Sequence, residues 1–218
     1  MIGVVAGQVA RLSPGRLRVA IDGLTGAGKT GFGHELAAAL RLLGRPTLRA
    51  CLDDFKHPWR HAREHGYDRL SGEGYYRNAY DFRSARELLL EPAGQSGPGL
   101  VALCGHDPLT GEDHRDKLIR APGDSVLVVD SLFAFRPEYN DCWDYRVWLD
   151  VDPETALRRG IARDAEAEGA GEAARVHRDR YHAAVEIYVA EVRPQAVADV
   201  IIDNSDFARP RIVRCQIT

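Results

Sequence analysis

One glycine-rich segment of the sequence has residue types and spacing suited to binding phosphate. Residues 23–30, GLTGAGKT, match the pattern G-x-x-x-x-G-K-[ST] and follow an apolar run typical of a strand. Glycine permits backbone angles that turn successive N–H groups toward an anion, and the N-terminus of a following helix adds positive potential. Lys29 would then reach the β and γ phosphates of a nucleotide, and the Thr30 hydroxyl would bind Mg²⁺. The predicted nucleotide-binding residues are Gly23, Thr25, Gly26, Ala27, Gly28, Lys29 and Thr30.

A nucleotide bound with Mg²⁺ also needs a carboxylate for the metal. The apolar run SVLVVD ends in Asp130, which in a parallel sheet would emerge at the same edge as the glycine-rich segment. We therefore predict that Asp130 joins Thr30 at a magnesium site. Each feature also has a purely structural alternative: the glycines could form a strand-to-helix turn without a ligand, and Asp130 could simply begin a turn.

Other charged residues are placed to act on a second substrate. Asp53 and Asp54 directly follow the apolar run PTLRACL, so at least one carboxylate should point into a cleft, where it could orient or deprotonate a hydroxyl. Arg159 and Arg163 are four residues apart, so both can reach one anion from the same helix face. The structural alternatives are a helix cap at the paired aspartates and a solvated helix carrying Glu–Arg pairs. Because the guanine-reading sequence N-K-x-D is absent, these features favour a small-molecule kinase over a GTPase.

Alternating strands and helices are predicted to position these residues. The apolar runs expected to form strands are residues 17–21, 46–52, 99–103, 125–130, 145–151 and 199–203. They lack strict polar–apolar alternation, which is typical of a parallel sheet covered on both faces. The helix signals between them are an apolar stripe at Leu36, Ala39, Leu40 and Leu43, a cap at Asp81 or Ser84, and a cap at Asp152 followed by Pro153. This order predicts a doubly wound α/β fold.

Two segments interrupt the alternation. Residues 53–80 are rich in aromatic residues and histidine and are predicted to be irregular, and residues 92–99 are predicted to form a turn-rich surface connection. Long insertions in α/β folds usually lie at the carboxyl ends of the strands, where ligands bind. The rings in the first segment could stack on a base or sugar, or could pack the loop onto the sheet: Phe55, His57, Trp59, Tyr67, Tyr75 and Tyr76.

Composition narrows the class of protein. The 218 residues are 44% hydrophobic and 28% charged, as in an ordinary globular protein, and we expect one domain over residues 1–218. The net charge of −3 gives no general attraction to nucleic acid, so a small anionic ligand is the expected partner. The four cysteines are scattered, and we expect them to be reduced. The sequence shows no signal peptide or membrane span, which predicts a cytoplasmic protein without a membrane partner.

The motifs form an ordered set along roughly residues 17–206: GLTGAGKT, LDDF, EGYYRNAYDF, VVDS, DYRVWLDV, LRRGIARD and YVAEVRPQAVADVIIDN. This set resembles the uridine kinase and phosphoribulokinase family of P-loop kinases, particularly its uridine-kinase-like branch. The resemblance implies a P-loop NTPase fold of the kinase type, with a parallel β-sheet flanked by helices on both faces and a helical lid at about residues 158–176. It also implies the cofactors ATP and Mg²⁺ and transfer of the γ-phosphate to a hydroxyl group.

The resemblance assigns roles to individual residues. Asp53 matches the aspartate of the family's D-x-F motif, which acts as the base and orients the acceptor. Asp130 stands where many uridine kinases carry a metal-associated glutamate. Arg159 and Arg163 fall on the lid helix, whose arginines close over the phosphates and exclude water. The predicted catalytic residues are therefore Lys29, Asp53, Arg159 and Arg163.

The departures from the family pattern concern the acceptor. Tyr75 stands in place of the aspartate that binds ribose, residues 168–170 replace the lid sequence R-G-R, and His114 lies near, at a different spacing, the histidine that contacts the base. The substrate candidates are Asp54, Tyr75, Tyr76 and His114. A pyrimidine nucleoside is the predicted acceptor, and the alternatives are another small alcohol, such as a sugar phosphate or vitamin precursor, or a regulatory protein without turnover. The resemblance also implies that the chain could form homo-oligomers.

Overall fold

A computed structural model describes residues 1–107 and 110–216 of the chain. Its strands are β1 (Leu17–Gly23), β2 (Thr47–Cys51), β3 (Leu100–Ala102), β4 (Leu118–Arg120), β5 (Val126–Asp130), β6 (Tyr145–Asp150), β7 (Val200–Asp203) and β8 (Arg211–Cys215). A six-stranded sheet has the order β2-β5-β1-β6-β7-β8, and only the β7–β8 pair is antiparallel. The predicted α/β fold with a mostly parallel sheet is confirmed.

The helices are α1 (Ile2–Leu12), α2 (Lys29–Leu42), α3 (Trp59–His65), α4 (Gly72–Asn78), α5 (Phe82–Ala85), α6 (Pro137–Asn140), α7 (Pro153–Glu168), α8 (Ala170–Val176), α9 (Ala183–Val192) and α10 (Pro194–Val197). Two further stretches, Arg86–Leu90 and His177–His182, are π-helical.

Helices cover both faces of the sheet because successive strand residues point to opposite sides. Val19 and Val128 belong to a core that also contains residues of α1 and α2. Ala20 and Leu127 belong to a second core, which α4 and α9 complete. The inner strands β1, β5, β6 and β7 are largely buried on both faces, and this accounts for their continuous apolar sequences.

One strand prediction was wrong in its placement. Residues 99–103 do not join the central sheet, because Leu100–Ala102 pairs antiparallel with Leu118–Arg120 in a separate two-stranded ribbon. Leu100, Leu118 and Ile119 are exposed, whereas the inner strands of the central sheet are covered on both faces. An apolar run this short therefore indicates a strand without indicating its sheet.

Several elements were not predicted, among them α1, β4 and β8. Helix α1 buries Val5 and Val9, which are one helical turn apart, whereas β4 and β8 consist of half-exposed or exposed residues. Edge strands of this kind carry little apolar signal. Residues 53–80 are also less irregular than expected, since they contain a 3₁₀ turn, α3 and α4.

The predicted helix signals are largely confirmed. Asp81, rather than Ser84, caps α5 by accepting a hydrogen bond from the Ser84 backbone, and Asp152 caps α7 by accepting one from the Thr155 backbone. Leu43 was wrongly placed on the buried stripe, because it follows the last turn of α2 and is 54% exposed. Residues 92–99 are turn-rich as predicted, but Ala93 within them is buried.

Two remaining expectations concern cysteines and membranes. All four cysteines are free. Within the described ranges, no helix combines the length and the apolar character needed to cross a membrane.

Candidate active site

The parallel strands bring the predicted site residues to one edge of the sheet. Cys51 at the end of β2 and Ile21 in β1 both pair with Asp130 at the end of β5. Asp53 and the glycine-rich segment follow directly, so the three chain segments border one cleft. A cavity of about 620 Å³ in this cleft is lined by Thr25, Gly26, Gly28, Lys29, Thr30, Asp53, Tyr75, Asp130, Arg159 and Arg163, among others.

Residues 23–30, here called the phosphate loop, have a backbone that requires glycine. Gly26 and Gly28 have φ angles of 85° and 88°, in the left-handed region that residues with side chains rarely adopt. A Cβ atom on Gly26 would lie 2.3 Å from the Ala156 carbonyl oxygen. Asn204 supports the loop from beneath by donating a hydrogen bond of 2.7 Å to the Ala27 carbonyl. The loop leads into the N-terminus of α2, so its shape and charge fit a bound phosphate group.

The Lys29 ammonium lies inside this loop. It donates hydrogen bonds of 3.0 and 2.9 Å to the carbonyl oxygens of Gly23 and Leu24. Burial lowers the pKa of Lys29, while the nearby carboxylates, chiefly Asp22 and then Asp53, oppose that shift. The ammonium group is therefore held at the cavity wall, where it could donate a hydrogen bond to a phosphate oxygen instead of a loop carbonyl.

Thr30 and Asp130 form the pair that could hold a magnesium ion. The Thr30 hydroxyl donates a hydrogen bond of 2.7 Å to Oδ2 of Asp130, and Arg49 forms an ion pair with Oδ1. No cluster of three or more His, Cys, Asp or Glu ligands occurs within residues 1–107 and 110–216. Mg²⁺ suits such a site because it is usually bound by one or two protein groups together with phosphate and water. Arg49, which was not among the predicted site residues, occupies Oδ1 of Asp130, while Oδ2 faces Thr30.

Asp53 faces the cavity between two hydrogen-bond donors. Tyr80 donates a hydrogen bond of 2.8 Å to Oδ1, and the Lys56 ammonium lies 2.9 Å from Oδ2. Burial alone would raise the pKa of Asp53, but the charge of Lys56 and the hydrogen bonds from Lys56 and Tyr80 outweigh it and hold the pKa below its usual value. The carboxylate is therefore ionised at neutral pH. The sequence did not point to Lys56 or Tyr80.

Asp54 differs from its neighbour in both position and charge. Its side chain lines neither the 620 Å³ cavity nor a second cavity of about 420 Å³ beside it. Burial and then the negative charges of Asp53 and Asp130 raise the pKa of Asp54 to about 6. Of the two aspartates, only Asp53 is placed to contact a molecule in the cleft.

The two predicted arginines reach the cavity from α7. Arg159 donates a hydrogen bond of 3.1 Å to the Asn204 carbonyl, and its guanidinium lies 3.8 Å from the ring centre of Phe207. Arg163 forms an ion pair of 2.6 Å with Asp164, which in turn lies 2.7 Å from Nε2 of His177. Both arginines line the cavity, and neither forms a Glu–Arg pair with a described residue.

The predicted acceptor residues are only partly brought together. Tyr75 is buried, lines the cavity and lies beneath the Lys56 ammonium, 5.2 Å from its ring centre. Tyr76 is fully buried in the core, and its hydroxyl donates to Glu191, 3.0 Å away. His114 pairs with Glu112 at 3.4 Å. Neither Tyr76 nor His114 lines the cleft.

A second cavity of about 420 Å³ adjoins the first. The residues that line both cavities are Asp53, Lys56, Tyr75 and Tyr181. Of the aromatic candidates in residues 53–80, His57, Trp59 and Tyr75 line this second cavity, whereas Phe55 is buried in the core and Tyr67 lines neither cavity. Asp53 therefore stands between two adjoining spaces, one bordered by the phosphate loop and one bordered by α3.

Comparison with known proteins supports the assignment of the fold. No protein-family model and no curated protein matches the sequence. A "possible uridine kinase" structure from Bacillus stearothermophilus is 22% identical with a TM-score of 0.66, covering 92% of this chain and 96% of that one. A candidate fructose transport system kinase from Silicibacter sp. TM1040 is 20% identical with a TM-score of 0.70, covering 87% and 94%. D-glycerate 3-kinase from Cryptococcus neoformans is 13% identical with a TM-score of 0.63, covering 97% and 99%.

These similarities extend over most of each chain. Their named substrates differ from one protein to the next, and identities this low carry information about the fold alone. The chain has the fold of the P-loop kinases of the uridine kinase and phosphoribulokinase type.

Proposed function

We propose that this protein is an ATP-dependent and Mg²⁺-dependent kinase that transfers the γ-phosphate of ATP to a hydroxyl group of a small metabolite. The observation that carries the proposal is the convergence of Lys29, Thr30, Asp53 and Asp130 on one cavity. A kinase needs a phosphate cradle, a ligand for the metal and a carboxylate at the acceptor hydroxyl. These residues supply all three from separate segments of the chain.

The phosphate loop is the proposed ATP site. Its backbone N–H groups and the Lys29 ammonium would bind the phosphates, and Thr30 with Asp130 would hold the magnesium ion. When bound, Mg²⁺ neutralises negative charge on the phosphates. The protein's own contribution would be to hold the triphosphate beside Asp53, which lines the same cavity.

Asp53 is the proposed acceptor-orienting base. Its lowered pKa makes it a weak base but a reliable hydrogen-bond acceptor, because it stays ionised at the pH of the reaction. A weak base suits phosphoryl transfer through a loose transition state, because the acceptor hydroxyl gives up its proton to the carboxylate only late in the step. The proton would pass from the acceptor hydroxyl to a carboxylate oxygen of Asp53.

Arg159 and Arg163 are the proposed stabilisers of the transferring phosphoryl group. Both lie on α7, and α8 follows after Gly169, whose φ angle is 84°. We propose that residues 158–176 act as a lid, with the two guanidinium groups closing over the phosphates. Exclusion of water by this closure would favour transfer over ATP hydrolysis.

The test combines ATP binding with a coupled assay of ADP release. We expect Asp53→Asn to leave ATP affinity nearly unchanged and to lower kcat by about 10²–10⁴-fold, the usual contribution of a positioned acid or base. Asp54→Asn is the matched neighbour, and because its side chain lies outside the cavities it should lose far less activity. Equal activity of Asp53→Asn and wild type would remove Asp53 from this role.

Lys29→Ala tests the nucleotide site separately. Removing the ammonium should weaken the binding of ATP measured by calorimetry, because the phosphates lose a charged donor. Unchanged affinity would contradict the assignment of the phosphate loop. ATP binding without ADP release, across all acceptors offered, would favour the regulatory alternative.

The identity of the acceptor is the finer part of the proposal. The resemblance to uridine kinases favours a pyrimidine nucleoside, and this stays a prediction. The residue at the position of the ribose-binding aspartate is Tyr75, which is buried beside Lys56 and offers no carboxylate. The geometry supports a small hydroxylated metabolite, and the lining of the second cavity bears on its chemistry.

A further inference from the structure

The second cavity is positioned to hold the acceptor. It adjoins the proposed ATP site and shares Asp53, Lys56, Tyr75 and Tyr181 with it. Its volume of about 420 Å³ falls within the range of sites for small molecules. A molecule that fills it can present a hydroxyl to Asp53 while its other end contacts the far wall.

The far wall is strongly basic. The basic residues that line the cavity are Lys56, Arg60, Arg63, Arg69 and Arg180, against the carboxylates of Asp53 and Asp107. Lys56 is paired with Asp53. In the part of the chain that the structure describes, none of the four arginines forms an ion pair with a carboxylate. Within the described ranges, these four guanidinium groups are therefore not held in ion pairs with carboxylates of the protein.

Arg69 is the most unusual of these arginines. It is only 3% exposed, yet its Nε atom has no hydrogen-bond partner among the described residues. One terminal nitrogen donates to the His57 carbonyl, and the guanidinium lies 4.4 Å from the ring centre of Trp59. A buried charge with an unsatisfied donor is costly to fold. Such a group is stabilised when an anion binds against it.

Arg180 approaches the same tryptophan from a different element. Its guanidinium lies 5.8 Å from the Trp59 ring centre, and its Nε donates to the Leu70 carbonyl at 3.2 Å. Burial, and to a smaller degree the charge of Arg180, lower the pKa of Arg69, although an arginine stays protonated. Two guanidinium groups beside one ring repel each other and together attract an anion.

We propose that the phosphate acceptor is an anionic alcohol, a small hydroxylated molecule whose phosphate or carboxylate group binds to Arg69 and Arg180 while its hydroxyl faces Asp53. The inference rests on the proposed function, because it names the substrate class of that site. An uncharged nucleoside would leave the Arg69 guanidinium buried without a counter-ion. Phosphate and carboxylate share the geometry that arginine recognises, so the experiment must separate them.

Calorimetry can isolate this site from the phosphate loop. The protein is first saturated with Mg²⁺ and the non-hydrolysable ATP analogue AMPPNP, which occupies the proposed ATP site. Matched compounds are then titrated: glycerol, glycerate and glycerol 3-phosphate, with ribose, ribose 5-phosphate and uridine. We expect measurable binding of the phosphorylated or the carboxylated member and none of its neutral counterpart. Equal binding of neutral and anionic members, or binding of uridine alone, would overturn the inference.

Variants then test the residues. Arg180→Met should weaken the binding of the anionic compound about 10- to 100-fold, since hydrogen bonds to charged groups are worth more than neutral ones. Arg69→Met should do the same, and circular dichroism with thermal unfolding checks that it folds. The control is Arg83→Met, which removes an exposed arginine paired with Glu87 outside both cavities. Equal affinities in Arg180→Met and Arg83→Met would count against the inference.

ADP release separates the two proposals. Release stimulated by an anionic alcohol, with a raised KM in Arg180→Met, supports both. Release stimulated only by neutral alcohols would overturn the anionic acceptor and leave the kinase standing. No release with any alcohol, while ATP still binds, would overturn the kinase and with it the acceptor role.

Discussion

The ion pair between Arg49 and Asp130 decides how the metal-site carboxylate is presented. The arginine side chain is 14% exposed and the aspartate 3%, and Asp130 also accepts the hydrogen bond from Thr30. Arg49→Met keeps most of the apolar stem and removes the charge. The substitution therefore leaves a buried carboxylate without its partner, and we expect it to affect both stability and metal binding.

The size of the stability effect follows from the burial of the pair. Removing one partner of a buried ion pair costs about 3–5 kcal/mol, because the remaining charge stays out of water without compensation. An exposed pair contributes about 0–1 kcal/mol. A loss of 1 kcal/mol shifts Tm by about 2–4 °C for a chain of this length. Arg49→Met should accordingly lower Tm by about 6–20 °C.

The assay is thermal unfolding, together with urea unfolding for the free energy, of three variants beside the wild type. Arg83→Met is the control, because Arg83 is 84% exposed and pairs with Glu87 on the surface, so its loss should cost less than about 1 kcal/mol. Combining Arg49→Met with Asp130→Asn should recover part of the lost stability, because the unpaired charge is removed as well. The Mg²⁺ concentration needed for half-maximal ATP binding should be higher in Arg49→Met than in the wild type, because Arg49 no longer helps to hold the Asp130 carboxylate in place.

Two outcomes would refute this reasoning. A cost for Arg49→Met no larger than that of Arg83→Met would mean that water reaches Asp130 and solvates it. A combined variant no more stable than Arg49→Met alone would mean that the arginine stabilises the protein by packing rather than by charge. Gly33→Ala provides an independent check, because its Cβ atom would lie 2.6 Å from Nη2 of Arg49 and should displace the arginine from Asp130. This substitution should therefore also lower the stability of the protein.

Two further predictions concern the base and the lid. Tyr80→Phe removes a donor to Asp53, so the pKa of Asp53 should rise and the acid limb of the plot of kcat/KM against pH should move to higher pH. Tyr139→Phe is the control, because that buried hydroxyl has no partner among the described residues; an equal shift in both would contradict the role of the bond. Asp152→Ala removes the cap on Thr155 at the start of α7 and should cost about 1 kcal/mol in thermal unfolding, whereas Asp152→Asn should cost less.

The sequence predicted those parts of the site that depend on local order. The phosphate loop is contiguous, and Asp53 and Asp130 each end an apolar run, so parallel strands were sufficient to bring them together. Asp152 was recognisable because a cap, a proline and an acidic residue stand in the order that begins a helix. In each case the signal lies within a few residues of the group it positions.

Residues positioned by tertiary packing were not predicted. Arg49 looks like one polar residue within a strand, and its partner lies 81 positions away in the sequence. Arg69 lies in a polar segment that was predicted to be an irregular loop, yet its side chain is buried. Conversely, Tyr76 was expected near the acceptor, but its place one residue after Tyr75 on α4 turns its side chain into the core.

The wall shared by the two cavities has a consequence for the order in which ligands bind. Tyr181 lines both spaces and the adjacent Arg180 lines the second, so one helical turn, His177–His182, touches both. A ligand that displaces or fixes this turn changes the free energy of binding at the neighbouring space. By thermodynamic reciprocity, the factor by which nucleotide alters acceptor affinity equals the factor by which acceptor alters nucleotide affinity. Synergy between the two substrates would then originate in this six-residue turn, which both ligands contact.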